Sequence, residues 1–159
     1  MAIFIFFTLI LTYILFSISR EDILTMLISE SKLRIFALSG FFYLICLGFS
    51  SEKINSIHLI LNNSFSMINI FLIMYLISYI SYKLIRINSL GMGDIKLSSI
   101  SAIWLGFELS FISICISFLL SAMYSFYGKI YKKFEKFHQY AFAPFLSIGI
   151  FCSWLLDKI

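Results

Sequence analysis

Asp22, Asp94 and Asp157 are the only aspartates in the sequence, and two of them stand where acid–base chemistry is possible. Asp157 lies beside the last residues and reads as an exposed charge. Asp22 and Asp94 each mark the junction between a long apolar run and a basic segment. Asp94 has the more distinctive neighbours, Gly91-Met92-Gly93-Asp94-Ile95-Lys96-Leu97. Glycines at 91 and 93 permit positive φ and let another backbone come close, a peptide substrate included. Asp94 would then fall in the first turn of a helix. Two carboxyl groups across a small gap cannot both ionise easily, so they share a proton. The ionised one can take a proton from water while the protonated one polarises a carbonyl. That is the water-activating chemistry of an aspartyl dyad. On spacing alone, the same two residues also fit plain charges at a membrane boundary.

The elements that must position them follow from composition. Of 159 residues, 61% are hydrophobic and 13% charged, and mean hydropathy is +1.00. Globular chains carry about 25% charged residues, and a soluble core of this size is too small to hide so much apolar surface. A disordered or collagen-like chain is excluded as well, since the sequence has one proline and seven glycines. The sequence predicts an all-α, polytopic membrane protein. Apolar runs cover 2–19, 35–50, about 64–82, 97–128 and 141–156, against the roughly 20 residues a spanning helix needs. The run 97–128 is either one long helix or two short ones. Glu108 falls near its middle, and a carboxylate at the bilayer centre costs at least about 2.5 kcal/mol, which favours a turn there.

Basic residues arbitrate, because they concentrate on the cytoplasmic side. With six spans, the segments 20–34, 83–96 and 129–140 share one side and hold ten of the twelve lysines and arginines. With five, the lysines of 129–136 would cross and the asymmetry would vanish. About six transmembrane helices are therefore expected, with Asp22 and Asp94 at the cytoplasmic boundary and both termini opposite. The stretch 51–63 reads as a short external connection, and residues 129–140 as an orientation-setting loop rather than a nucleic-acid or lipid patch.

Other residues read as packing. Cys46, Cys115 and Cys152 form no CxxC and lie in apolar runs, so they are expected to be small buried hydrophobes. His58 and His138 fall on opposite sides of the membrane, and no ligand cluster for a metal is present. Ser99, Ser101, Ala102, Gly106, Ser117 and Ser121 are small enough to bring helices close.

The motif Gly91-Met92-Gly93-Asp94-Ile95-Lys96-Leu97 resembles the GxGD signature of the type IV prepilin peptidase family. Ala102-Ile103-Trp104-Leu105-Gly106 is similar to the Ala-x-Trp-Leu-Gly that often follows it. Ala141-Phe142-Ala143-Pro144-Phe145-Leu146-Ser147-Ile148-Gly149 resembles the motif opening that family's last span. The family's first aspartate is followed six residues on by Ile-Pro-Asp/Asn; here Asp22 is followed by Ile28-Ser29-Glu30, with serine in place of proline.

The resemblance implies an aspartic endopeptidase with Asp22 and Asp94 as catalytic residues and Glu21 as the fallback for the first carboxylate. Gly91, Gly93 and Lys96 belong to the motif, Lys96 orienting or snorkelling near the dyad. Glu21 and Glu30 are candidates to receive a basic leader peptide. The implied partner is a prepilin-like membrane protein of a pilus or secretion system, cut before its apolar helix at the cytoplasmic face of a bacterial inner membrane. Residues 1–159 read as one membrane-embedded peptidase domain without the CxxC region tied to N-methylation. No cofactor, metal or nucleic acid is expected. A presenilin-like reading fits poorly, because Glu21 rather than tyrosine precedes Asp22 and Pro144 is followed by Phe145-Leu146. The alternative from another class is a non-catalytic membrane scaffold, small transport component or decayed peptidase.

Overall fold

The computed structural model describes residues 2–50, 56–86, 90–131 and 140–156. Asp157, His138, Lys53, Lys158 and positions 132–139 of the basic loop lie outside the described residues. Five helices follow one another: α1 (Ala2–Thr25), α2 (Glu30–Ser50), α3 (Ser56–Ile85), α4 (Met92–Ile130) and α5 (Ala143–Leu156). No strand occurs among the described residues. Helices α1 to α4 are each long and apolar enough to cross a membrane. Their outward faces carry exposed Leu9, Tyr13, Phe16, Leu38, Phe65 and Leu119, an apolar exterior that suits lipid and not water.

The helices outrun the apolar stretches that define them. Residues 20–34, expected as a loop, are helical through Thr25 and again from Glu30. Ile23, Leu24 and Thr25 continue α1 until Met26, whose φ of 55° turns the chain left-handed. The Met26 amide donates back to the Asp22 carbonyl at 2.9 Å, closing the last turn. The external connection expected over 51–63 is likewise shorter, because α3 already runs from Ser56. Asn63 is buried, its side-chain amide donating 2.9 Å to the Ile103 carbonyl. A polar residue can lie that deep because its hydrogen bond is made within the protein.

Within α4 the backbone is broken at Gly106, with φ 74° and ψ −176°, a region open essentially to glycine alone. A straight helix would hold Asp94 and Ser121 about 40 Å apart at 1.5 Å per residue. Instead both reach the start of α5. The Asp22 carboxylate, whose charge acts on Asp94, accepts from the Ala143 amide at 3.0 Å. The Ser121 hydroxyl meets that of Tyr140 at 2.8 Å. The chain thus doubles back at Gly106, and Glu108, two residues on, is exposed.

The core sits around Trp104, just before the break. Its indole stacks on Phe36 and Tyr43, centroids 5.8 and 5.6 Å away, and meets Trp154 edge-on. Its ring nitrogen donates 3.0 Å to the Phe36 carbonyl, which satisfies the one polar atom a buried tryptophan carries. Small residues set the helix spacing. A Cβ at Gly149 of α5 would lie 2.3 Å from the Ser113 carbonyl oxygen of α4. Ser99, Ser101, Ala102, Ser117 and Ser121 are all buried. Cys115 departs from expectation: it is exposed on the outer face of α4, while Cys46 and Cys152 are partly covered. On a helix bathed in lipid, apolar periodicity does not distinguish the inner face from the outer.

Candidate active site

Asp22 sits in the last turn of α1 and is buried. Its carboxylate accepts the Ala143 amide at 3.0 Å, with the Phe142 amide nearby. Ala143 is the first residue of α5, so Asp22 caps a helix that begins 121 residues later. First-turn amides lack intrahelical partners and favour negative charge, which fixes where this carboxylate points. Pro144 follows in the same first turn, a position where a missing N–H does no harm.

Asp94 lies in the first turn of α4, as expected, after an extended Gly91 with φ −71° and ψ 147°. The charge of Asp22 acts on it. The two aspartates, 72 positions apart in sequence, therefore lie at the same end of the bundle, where Ile28, six residues after Asp22, packs on Gly93. Asp94 Oδ1 is buried and has no hydrogen-bond partner among the described residues. A buried unpartnered oxygen calls for an explanation, and a group that engages a reactant supplies one.

The motif glycines serve by their size, not by positive φ. Among the described residues only Gly106 is a glycine with positive φ. A Cβ at Gly91 would come within 3.1 Å of Asp94 Oδ2, and one at Gly93 within 3.2 Å of the Ile28 Cβ. The segment that approaches Gly93 is thus the chain's own Ile28.

The remaining candidate residues surround the pair without joining it. Lys96 Nζ binds Glu30 Oε1 at 2.7 Å, both side chains partly exposed. Glu21 Oε2 accepts from the Ser29 hydroxyl at 3.0 Å and its amide at 3.3 Å, and pairs with Lys32 at 3.4 Å. Lys32 in turn donates 2.8 Å to the Ser17 carbonyl. Both glutamates proposed to receive a basic leader already hold a lysine of this chain. Sequence reading missed Ser29, Lys32 and the Ala143 amide; serine in place of proline at 29 was the one signal available.

A model of the type IV leader peptidase family matches residues 9–126. That stretch is about three quarters of the chain and includes Asp22, Gly91, Gly93, Asp94 and Trp104. The chain belongs to the type IV leader peptidase family. No curated protein and no solved structure matches it. Family membership makes the protein a peptidase, and its long apolar helices suit a multi-pass membrane location. For a type IV leader peptidase, the placement of Asp22 and Asp94 at the same end of the bundle is the arrangement of most chemical interest.

Proposed function

We propose that this protein is an aspartic endopeptidase that removes the short basic leader of prepilin-like membrane proteins, with Asp22 and Asp94 as its catalytic pair. The observation that carries the reading is the convergence of these two aspartates in a leader peptidase chain, one oxygen of Asp94 being buried and unpartnered. One carboxyl, ionised, removes a proton from water, and the resulting hydroxide adds to the scissile carbonyl. The other, protonated, donates a hydrogen bond to that carbonyl oxygen and stabilises the charge that develops there. The tetrahedral adduct collapses as the leaving amine takes a proton from the acid, and the C–N bond breaks.

The topology we propose has six spans, the two halves of α4 (92–105 and 107–130) crossing separately. Residues 92–105 make a helix of only about 21 Å, short of the roughly 30 Å hydrocarbon core. That shortness leaves Asp94 below a surface that water can reach. The pair then lies on the lysine-rich, cytoplasmic side of a bacterial membrane, within a single peptidase domain. A prepilin's apolar helix can lie in the bilayer against the bundle and present its leader junction at that depth.

Cleavage in membranes tests this. The chain is expressed with a prepilin-like substrate, and leader removal is followed by mass spectrometry for the parent, Asp22→Asn and Asp94→Asn. Each variant is expected to lose about 100-fold or more in rate, the scale of general acid–base catalysis. Full activity in both variants would sink the aspartic mechanism. An inactive parent with a competent substrate would favour a non-catalytic scaffold.

A further inference from the structure

The three residues Ile28-Ser29-Glu30 touch both helices that carry the aspartates. Ile28 packs on Gly93 of α4, so closely that a Cβ there would meet it at 3.2 Å. Ser29 gives both its amide and its hydroxyl to Glu21 Oε2 on α1. Glu30 turns back to α4 and binds Lys96. One contact to α1 is flanked by two to α4, and the contacted residues lie within two positions of Asp22 and Asp94: Glu21 on one side, Gly93 and Lys96 on the other. Lys32 closes the arrangement, pairing with Glu21 and with the Ser17 carbonyl one turn earlier in α1.

We propose that this segment is the spacer that sets the separation of the two carboxylates, and that Glu21 is the positioning residue that locks it in place. The inference rests on the dyad reading given above. Glu21 acts here as a holder and not as a reacting group: its Oε2 is taken by Ser29 and Lys32. It acts through Ile28, which moves if Ser29 is released and carries Gly93 and Asp94 with it. Serine stands here where proline stands in the resembling motif. A proline stiffens a turn through its own ring; this chain reaches the same end with a side chain on α1 that grips the turn from outside.

That substitution supplies the test. Ser29 lies outside the helices, has no positive φ, and is preceded by the non-helical Ile28, so proline at 29 does not force its neighbour out of place. It does remove the amide and hydroxyl that Glu21 holds, so it is read chiefly in the Glu21→Ala background. Four variants are compared in membranes against a prepilin-like peptide with a basic leader, a glycine and an apolar helix: Glu21→Ala, Glu21→Gln, Ser29→Pro, and Glu21→Ala with Ser29→Pro. Asp22→Asn and Asp94→Asn run alongside.

Glu21→Ala is expected to lower kcat by about 10- to 100-fold, the scale of a small misplacement of reacting groups, with KM changed less than about twofold. Glu21→Gln keeps an acceptor for Ser29 and loses only the lysine charge, so it falls between parent and alanine variant. Adding Ser29→Pro to Glu21→Ala returns most of the lost kcat. If Glu21→Ala fails to accumulate, recovery of its abundance and cleavage in the double variant gives the same answer.

The proposal is overturned by full activity in Glu21→Ala, or by a double variant no better than the single. It is overturned equally if Glu21→Gln is as dead as the aspartate variants, since Glu21 would then be a reacting carboxylate. Activity retained in Asp22→Asn or Asp94→Asn overturns the dyad reading instead, whatever the Glu21 series does.

Discussion

Asp22 is tied at one oxygen to the first amide of α5, whereas Asp94 keeps Oδ1 buried without a partner. The proposed pair is therefore unequal: one carboxyl is oriented by the protein, and the other has an acceptor left over. The second is held by the Gly91 amide, which its carboxylate accepts, and by contact, chiefly Gly93 against Ile28. Gly93→Ala places a methyl 3.2 Å from the Ile28 Cβ, tighter than normal van der Waals distance, and the neighbour is the stiff root of a side chain. The expected outcome is a loss of about 1–3 kcal/mol in stability, as in other overpacked sites. A fall in cleavage larger than the change in folded protein should accompany it. Thermal melting in detergent beside the membrane cleavage assay checks both; unchanged melting and unchanged cleavage would show that Ile28 simply moves aside. The Gly-x-Gly-Asp run was legible in sequence because it is contiguous. The Asp22 tie to Ala143 was not, because it joins residues 121 positions apart. Nor was the grip of Glu21 on Ser29, which no spacing rule encodes.

At the scale of elements, apolar runs identify every helix but misplace their ends. Helix α1 carries Glu21 and Asp22 inside its last turns, and α3 begins about two turns before its apolar run. Hydropathy marks where lipid contact is tolerated, whereas the helix ends where backbone hydrogen bonding fails, at Met26 in the first case. The interruption of α4 was legible, because a carboxylate at Glu108 argues against an unbroken span. Two glycines now carry contrasting expectations. Gly106→Ala must place a Cβ on a backbone of φ 74°, costing about 1–3 kcal/mol through strain, although the nearest atom, Asn63 Oδ1, would be a comfortable 3.7 Å away. Gly149→Ala has no such strain but would collide at 2.3 Å with the Ser113 carbonyl and the Ser117 hydroxyl. Backbone cannot rotate out of the way as a side chain can, so α4 and α5 must separate. Gly149→Ala combined with Ser117→Ala should therefore stay destabilised, since the Ser113 carbonyl remains; melting temperatures of the three variants decide it. Recovery in that double variant would show that the hydroxyl, not the backbone, was the obstacle.

For the whole molecule, the open quantity is how many times the chain crosses the bilayer, since the side on which Asp22 and Asp94 lie depends on it. A straight α4 of 39 residues would be about 58 Å long, nearly twice the hydrocarbon thickness, and would carry Tyr131 to the face opposite Asp94. A chain that doubles back at Gly106 returns Tyr131 to the face of Asp94 and leaves Glu108 on the other. Thr25, Arg86, Glu108 and Tyr131 are all exposed, so each can be replaced by cysteine in a background lacking Cys46, Cys115 and Cys152. With a membrane-impermeant maleimide on intact cells, Glu108→Cys is expected to react. Thr25→Cys, Arg86→Cys and Tyr131→Cys should react only after permeabilisation. Tyr131 is the deciding position, because Thr25 and Arg86 keep their side under either count. Labelling of Tyr131→Cys from outside, with Glu108→Cys silent, would mean an uninterrupted α4 and five crossings. The lysines of 129–136 would then be translocated against the charge bias that orients membrane proteins. It would also part Ser121 from the face of Asp94, against the Tyr140 contact that brings them together.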